Sequence, residues 1–226
     1  MTTTIRLADP AAAAADLQTF LGRAAAVLDG AVRIIAADGV LAVYVPVLHP
    51  SGLLDDAATV LGLRTVAIGR PSADEPQAPV DAVVPLASLR ARIEASGDGA
   101  FAVPSSVYSV TWAGIAPPRG GWVRLAEVAP VARLASVAEE GMGAVARALP
   151  ADPGEAIVRQ VRQAVWNEPI PGIEALPSGA ALAAVALGFA PDPDEEGTVF
   201  ELGPWSRLSL RRGQVLVKRR AWSLAR

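Results

Sequence analysis

A chain of 226 residues holds one large domain or two modest ones, and either can bury a sufficient core. At 52% hydrophobic and 19% charged it is not intrinsically disordered, and a net charge of −3 predicts no overall attraction to nucleic acid or acidic lipid. Zero cysteines exclude disulfides, thiolate catalysis, zinc–thiolate sites and thiolate-held iron–sulfur clusters, and with His49 the only histidine the usual catalytic vocabulary is nearly empty.

Much of the apolar content is alanine, and every basic residue but Lys218 is arginine, a bias that reads as a GC-rich genome before it reads as function. The N-terminus has no basic segment followed by an apolar one, so no secretory signal is expected. The longest uncharged run, Ala175 to Pro191, is too short and too weakly apolar to span a bilayer. The expectation is a soluble cytoplasmic protein with no membrane partner.

Asp9-Pro10 supplies an N-cap and a first helical position, and Leu17, Phe20, Leu21, Ala24 and Leu28 follow on one face at helical spacing. Val32 to Ala36 and Val40 to Val45 are extended runs around Asp38-Gly39, the strongest short hairpin signal. Further strands are expected at Leu61 to Ile68, Ala82 to Pro85, Ala100 to Val103 and Val107 to Trp112, with a short helix from Leu86 to Ala95. Residues Pro71 to Pro79 read as an exposed connection.

Gly120-Gly121 reads as the domain boundary, and beyond it the chain becomes helical. Leu134, Val137, Ala138, Gly141, Val145 and Leu149 form one stripe. Asp152-Pro-Gly-Glu155 is a capping-box-like start, after which Ile157, Val158, Val161 and Val165 should face inward and Arg159, Gln160, Arg162 and Gln163 should face water. A third helix is expected from Ser178 to Phe189. Extended segments return at Val199 to Leu202 and Arg207 to Leu210, with a turn at Arg212-Gly213 before Val215 to Val217.

The stretch Thr111 to Trp122 packs two tryptophans, three glycines, two prolines and an arginine into a shaped loop. As a partner- or ligand-binding surface, Trp112 and Trp122 would form walls, the amides of Gly120 and Gly121 would donate, and Arg119 would hold a carboxylate or phosphate in a bidentate fork. As structure, the same residues would fill a buried interdomain hinge.

Residues 197–226 carry +6 of net charge against −9 for the remainder. A basic hairpin after three helices is the element order of a winged helix-turn-helix, in which Arg207, Arg211, Arg212, Lys218, Arg219 and Arg220 would meet phosphates. The competing reading is a basic edge and tail that stay solvated or pair with the acidic remainder. The presumed recognition helix, Ser178 to Phe189, carries no Arg, Lys, Asn or Gln to read bases, so sequence-specific DNA reading is not expected.

Asp192-Pro-Asp-Glu-Glu-Gly197 begins like a calcium loop, but Gly203 stands where the bidentate Glu belongs, so a solvated acidic turn is expected and no metal is assigned. His49, at a probable strand end before Pro50, has no nucleophile elbow or second histidine, and Asp55-Asp56 reads as a solvated loop pair. No phosphate-binding glycine fingerprint is present. Neither a cofactor nor a catalytic residue is assigned.

Three stretches, Thr111 to Trp122, Thr2 to Pro10 and Gly203 to Val217, are similar to those of a family of uncharacterised proteins from high-GC actinobacteria. The resemblance implies no activity. The N-terminal order of strand, helix and several strands is also similar to one repeat of a sliding clamp.

The expectation is therefore an α+β protein in two parts. Residues 1–120 form a mainly antiparallel sheet with a long N-terminal helix, and residues 121–226 form a helical cluster closed by a C-terminal β-hairpin. The first functional reading is a non-catalytic interaction or scaffolding protein with a protein partner. The alternatives are a nucleic-acid-associated protein using the basic hairpin, and an enzyme with an unfamiliar carboxylate or arginine site.

Overall fold

The computed structural model describes residues 3–28, 30–50, 57–69, 79–105, 110–114 and 116–219. The expected connection at 71–78, the Asp55-Asp56 pair, Arg220 and most of the strand expected before Trp112 lie outside them. The fold is α+β, with a large antiparallel sheet and, among the described residues, five α-helices. Two compact units divide the chain: unit 1 is 1–45 with 63–115, and unit 2 is 46–62 with 116–226.

Unit 1 begins with β1 (Thr4–Arg6) and α1 (Pro10–Val27). Asp9 Oδ1 accepts a hydrogen bond from the Ala12 amide at 3.2 Å, and Leu17, Phe20, Leu21 and Ala24 are buried as the spacing predicts. Strands β2 (Ala31–Ala37) and β3 (Val40–Leu48) follow, joined at Asp38 (φ 53°) and Gly39 (φ 80°). Two successive positive-φ residues give the turn whose twist matches that of paired strands.

The last residues of β3 and the first of β4 (Thr59–Ala67) belong to unit 2; unit 1 resumes at Leu63 and continues through β5 (Val80–Pro85), α2 (Leu86–Glu94) and β6 (Ala100–Ala102), with sheet order β5-β2-β3-β4 and β1 paired to β6. Arg64 on β4 meets the Asp16 carboxylate on α1, donating through Nε at 2.7 Å to Oδ2 and through Nη2 to Oδ1. Trp112 sits not on a strand but in a single 3₁₀ turn, Thr111–Gly114. That turn is tied to β2 because Arg33 Nη1 donates to the Ala113 carbonyl at 2.8 Å. Arg33 also forks onto Asp81 at 2.8 and 2.7 Å, and these bonds hold its guanidinium above its ordinary pKa.

Unit 2 opens differently from the expectation that the chain turns helical after Gly121. Residues Val123–Pro130 form β7, an edge strand exposed on both faces along most of its length, so period-two alternation gives it no signal. Helix α3 (Val131–Ala148) buries Val131, Leu134, Ala138 and Gly141. Helix α4 spans Glu155–Trp166, its N-cap is Gly154 rather than Asp152, and no side chain caps it. The predicted inward face of α4 is also corrected: Ile157 is 46% exposed, and Trp166 is the buried residue of the helix. This helix docks through its last turn, where the Trp166 ring fills the space left by Gly141 on α3.

A short hairpin absent from the sequence reading, β8 (Pro169–Ile170) and β9 (Ile173–Pro177), then leads to α5 (Ser178–Ala186). Helix α5 buries six of its residues, Ala180, Ala181, Ala183 and Ala184 among them, so it has no open face to lay into a nucleic-acid groove. Three strands close the unit: β10 (Glu196–Leu202), β11 (Trp205–Leu210) and β12 (Gly213–Lys218), in the order β12-β11-β10-β7. The last turn is Arg211-Arg212, one residue earlier than expected, because Leu210 pairs with Gly213.

Candidate functional site

Register decides what stands together on the unit-2 sheet. Leu202 pairs with Trp205, so Gly203-Pro204 is a two-residue turn, and Gly203 supplies the positive φ (55°) that its first position asks for. This spacing sets Phe200 of β10 opposite Arg207 of β11. Arg124 of β7 lies opposite Phe200 on the other side, and Leu216 of β12 opposite Arg207. Directly opposed residues share a face, so Arg124, Phe200, Arg207 and Leu216 form one row across the strands.

Trp122 joins this row from the loop that precedes β7. Its indole Nε1 donates to the Pro118 carbonyl at 3.2 Å, closing the loop on itself. The Arg207 guanidinium carbon lies 4.8 Å from the Trp122 ring centroid and 4.2 Å from that of Phe200. A cation over aromatic faces contributes about 0.5–2 kcal/mol for each ring, more as water is excluded. Burial lowers the Arg207 pKa from its ordinary value, although the guanidinium stays charged. Its Nε is buried without a hydrogen-bond partner, and among the described residues no carboxylate pairs with Arg207. The arrangement is an unneutralised cation over two aromatic rings, suited to a carboxylate or phosphate or to a further planar group.

The expected loop surface is divided between the units. Trp112 belongs to unit 1 and is 8% exposed, whereas Arg119, Gly120, Gly121 and Trp122 belong to unit 2. Gly121 needs its glycine, with φ of 84°, while Gly120 is exposed and does not adopt positive φ. Arg119 is exposed, and among the described residues it makes no ion pair. We therefore expect Arg119→Ala to change stability by less than about 0.5 kcal/mol in a thermal melt. A clear loss of stability would instead assign Arg119 a structural role.

The basic hairpin residues have distinct fates. Arg211 at the turn pairs with Asp192, lies 3.3 Å from Glu195 Oε2 through its Nε, and donates its amide to Glu195 Oε1 at 2.6 Å. Hydrogen bonds to Glu195 and then Asp192 hold Arg211 above its ordinary pKa. Asp192, the opening residue of the calcium-like stretch, thus holds an arginine. Arg219 donates to Glu201 at 2.5 Å. Arg212 is exposed at the turn, and Lys218 is half-buried opposite Trp205. Phe200 and Arg124 were missed by the sequence reading, although treating Gly203-Pro204 as the hairpin turn puts Phe200 opposite Arg207 directly.

Among the described residues no group of histidine and acidic side chains could hold a metal ion, and no helix is long and apolar enough to cross a membrane. Residues 1–114 match the family profile described as domain of unknown function (DUF8010), and residues 117–222 match that of domain of unknown function (DUF8185). No curated protein matches the chain. Among solved structures it is similar to the DNA polymerase III subunit beta of Pseudomonas aeruginosa, with 11% identity, a TM-score of 0.46, and coverage of 100% of this chain and 66% of that one. A sliding clamp from Bartonella birtlesii gives 13% identity and a TM-score of 0.44, covering 100% of this chain and 66% of the other. The clamp of Caulobacter crescentus gives 11% and 0.46, covering 99% and 67%. The chain thus spans 66% of the length of the first of these proteins.

Proposed function

We propose, for a chain that belongs to the DUF8010 family, a non-catalytic interaction protein of the cytoplasm that holds a protein partner against the Trp122–Arg207–Phe200 face, with residues 1–120 and 121–226 as its domains. The observation that carries this reading is the Arg207 guanidinium, held over the rings of Trp122 and Phe200 and lacking a carboxylate partner among the described residues. Tryptophan and arginine are the residues most enriched where interface energy concentrates, and a preorganised guanidinium loses little entropy when it meets a carboxylate. The partner it suits presents an acidic side chain beside an apolar one.

Nucleic acid is the second reading, favoured by the same stack together with Arg124, Lys218 and the exposed Arg212. Aromatic and guanidinium surfaces on a sheet can stack on bases while nearby cations meet phosphates. The ion pairs of Arg211 and Arg219 lower the charge available for that use.

Affinity purification of the tagged full chain from its native cytoplasm, at low and high salt and with nuclease, tests both readings. One stoichiometric protein that survives salt and nuclease, and is lost from Arg207→Ala, is the expected result. A nuclease-sensitive, salt-sensitive set of nucleic-acid proteins would favour the second reading. A capture unchanged by Arg207→Ala would remove the face from the interaction.

A further inference from the structure

A cavity of about 180 Å³ opens in unit 2 between α4 and the end of β3. Its apolar lining includes Leu48 and Trp166, and its polar lining is Arg159, Arg162, Gln163, His49 and Asn167. Arg159 and Arg162 are three residues apart on α4, so their side chains are neighbours on one helix face. Among the described residues no carboxylate lines the cavity and neither arginine makes an ion pair. Two like charges at this spacing destabilise a helix slightly, a cost that a bound anion would reverse.

Asn167 fits the same ligand. Asn167 uses its Oδ1 to accept from the Ala58 amide at 3.0 Å, and its Nδ2 keeps two donors for a ligand. His49 Nδ1 lies 3.1 Å from the Pro50 carbonyl, which can only accept, so Nε2 of the neutral ring is an acceptor and His49 borders the site without supplying a donor to an anion. The site therefore combines two guanidinia and the amide side chains of Asn167 and Gln163 with the apolar Leu48. The cavity is large enough to admit one small molecule.

We propose that this cavity binds a small organic oxyanion, a carboxylate or phosphate ester with a compact apolar body, with Arg159 and Arg162 holding the anion and Leu48 meeting the apolar part. The site is separate from the Trp122–Arg207–Phe200 face in its residues and in its ligand. Calorimetric titration of the full chain with phenyl phosphate, benzoate and inorganic phosphate tests it.

At least one organic probe should bind saturably and more tightly than inorganic phosphate. Arg159→Gln and Arg162→Gln should each weaken that binding about tenfold, the scale of one charge-assisted hydrogen bond. Both side chains are exposed, so the variants should keep the parent melting temperature. Arg119→Gln, which alters an exposed arginine that does not line the cavity, should leave the titration unchanged. Absence of saturable binding by all three probes would overturn the proposal, and so would binding that survives in the Arg159→Gln/Arg162→Gln double variant.

Discussion

Trp166→Ala should lower the unfolding free energy by about 3–5 kcal/mol, the cost of deleting a large ring from a site that cannot collapse around the loss. Trp166 is 3% exposed and is the buried side chain through which α4 is anchored. Gly141 gives the complementary result. An alanine inside a helix ordinarily gains about 1 kcal/mol over glycine, yet a Cβ at 141 would lie 2.3 Å from Trp166 Cζ3 and 2.5 Å from Cη2. An indole is rigid, so the ring must move as a whole.

Overpacking of that kind costs about 1–3 kcal/mol, which turns the expected gain of Gly141→Ala into a net loss. In the Trp166→Ala background the obstacle is gone and the helix-propensity gain should reappear. Urea unfolding of the four members of this cycle measures the coupling between the two positions. A stabilising Gly141→Ala in the parent chain would mean that α4 does not dock on α3 through this contact.

Gly99→Ala should cost about 3 kcal/mol, for two reasons that can be separated. The backbone at Gly99 has φ of 75°, a conformation that costs an L-residue about 1–2 kcal/mol. A Cβ there would also lie 2.5 Å from Pro10 Cβ and 2.9 Å from Pro10 Cα, at the first residue of α1. The Cα atom belongs to a backbone held by the start of a helix and cannot swing aside.

Gly39 isolates the backbone part, since its φ is 80° and nothing lies within 4 Å of the position a Cβ would take. Asparagine tolerates left-handed backbone, so Gly39→Asn should cost well under 1 kcal/mol, whereas Gly99→Asn should remain about as damaging as Gly99→Ala. Equal losses for the two asparagine variants in thermal melts would show that backbone strain alone, without the contact to Pro10, accounts for the effect at 99.

The elements that were legible in the sequence are those written by local rules. Asp9-Pro10 and the spacing of Leu17, Phe20, Leu21 and Ala24 specify α1 from within the helix itself, and Asp38-Gly39 places two positive-φ residues between β2 and β3 without help from the rest of the chain. The α+β class follows from those signals together with the terminal strands, each of which was located to within a few residues. Composition likewise excluded thiol chemistry before any geometry was known.

What the tertiary structure decided is which faces meet. β7 is exposed on both sides as an edge strand, so its residues carry no alternation, and only its pairing with β10 makes it a strand. The apolar positions of α4 have helical period, but periodicity cannot say whether a face finds a partner; the helix docks by Trp166 and leaves Ile157 at the surface. The union of Trp122 with Arg207 and Phe200 depends on strand register, and the cavity depends on α4 lying beside the end of β3. Residue type, helical period and turn chemistry are properties of neighbours in sequence, so this chain determines its elements and excludes thiol chemistry locally. Register and docking join residues far apart in sequence and are chosen by packing, so both candidate sites exist only in the folded molecule.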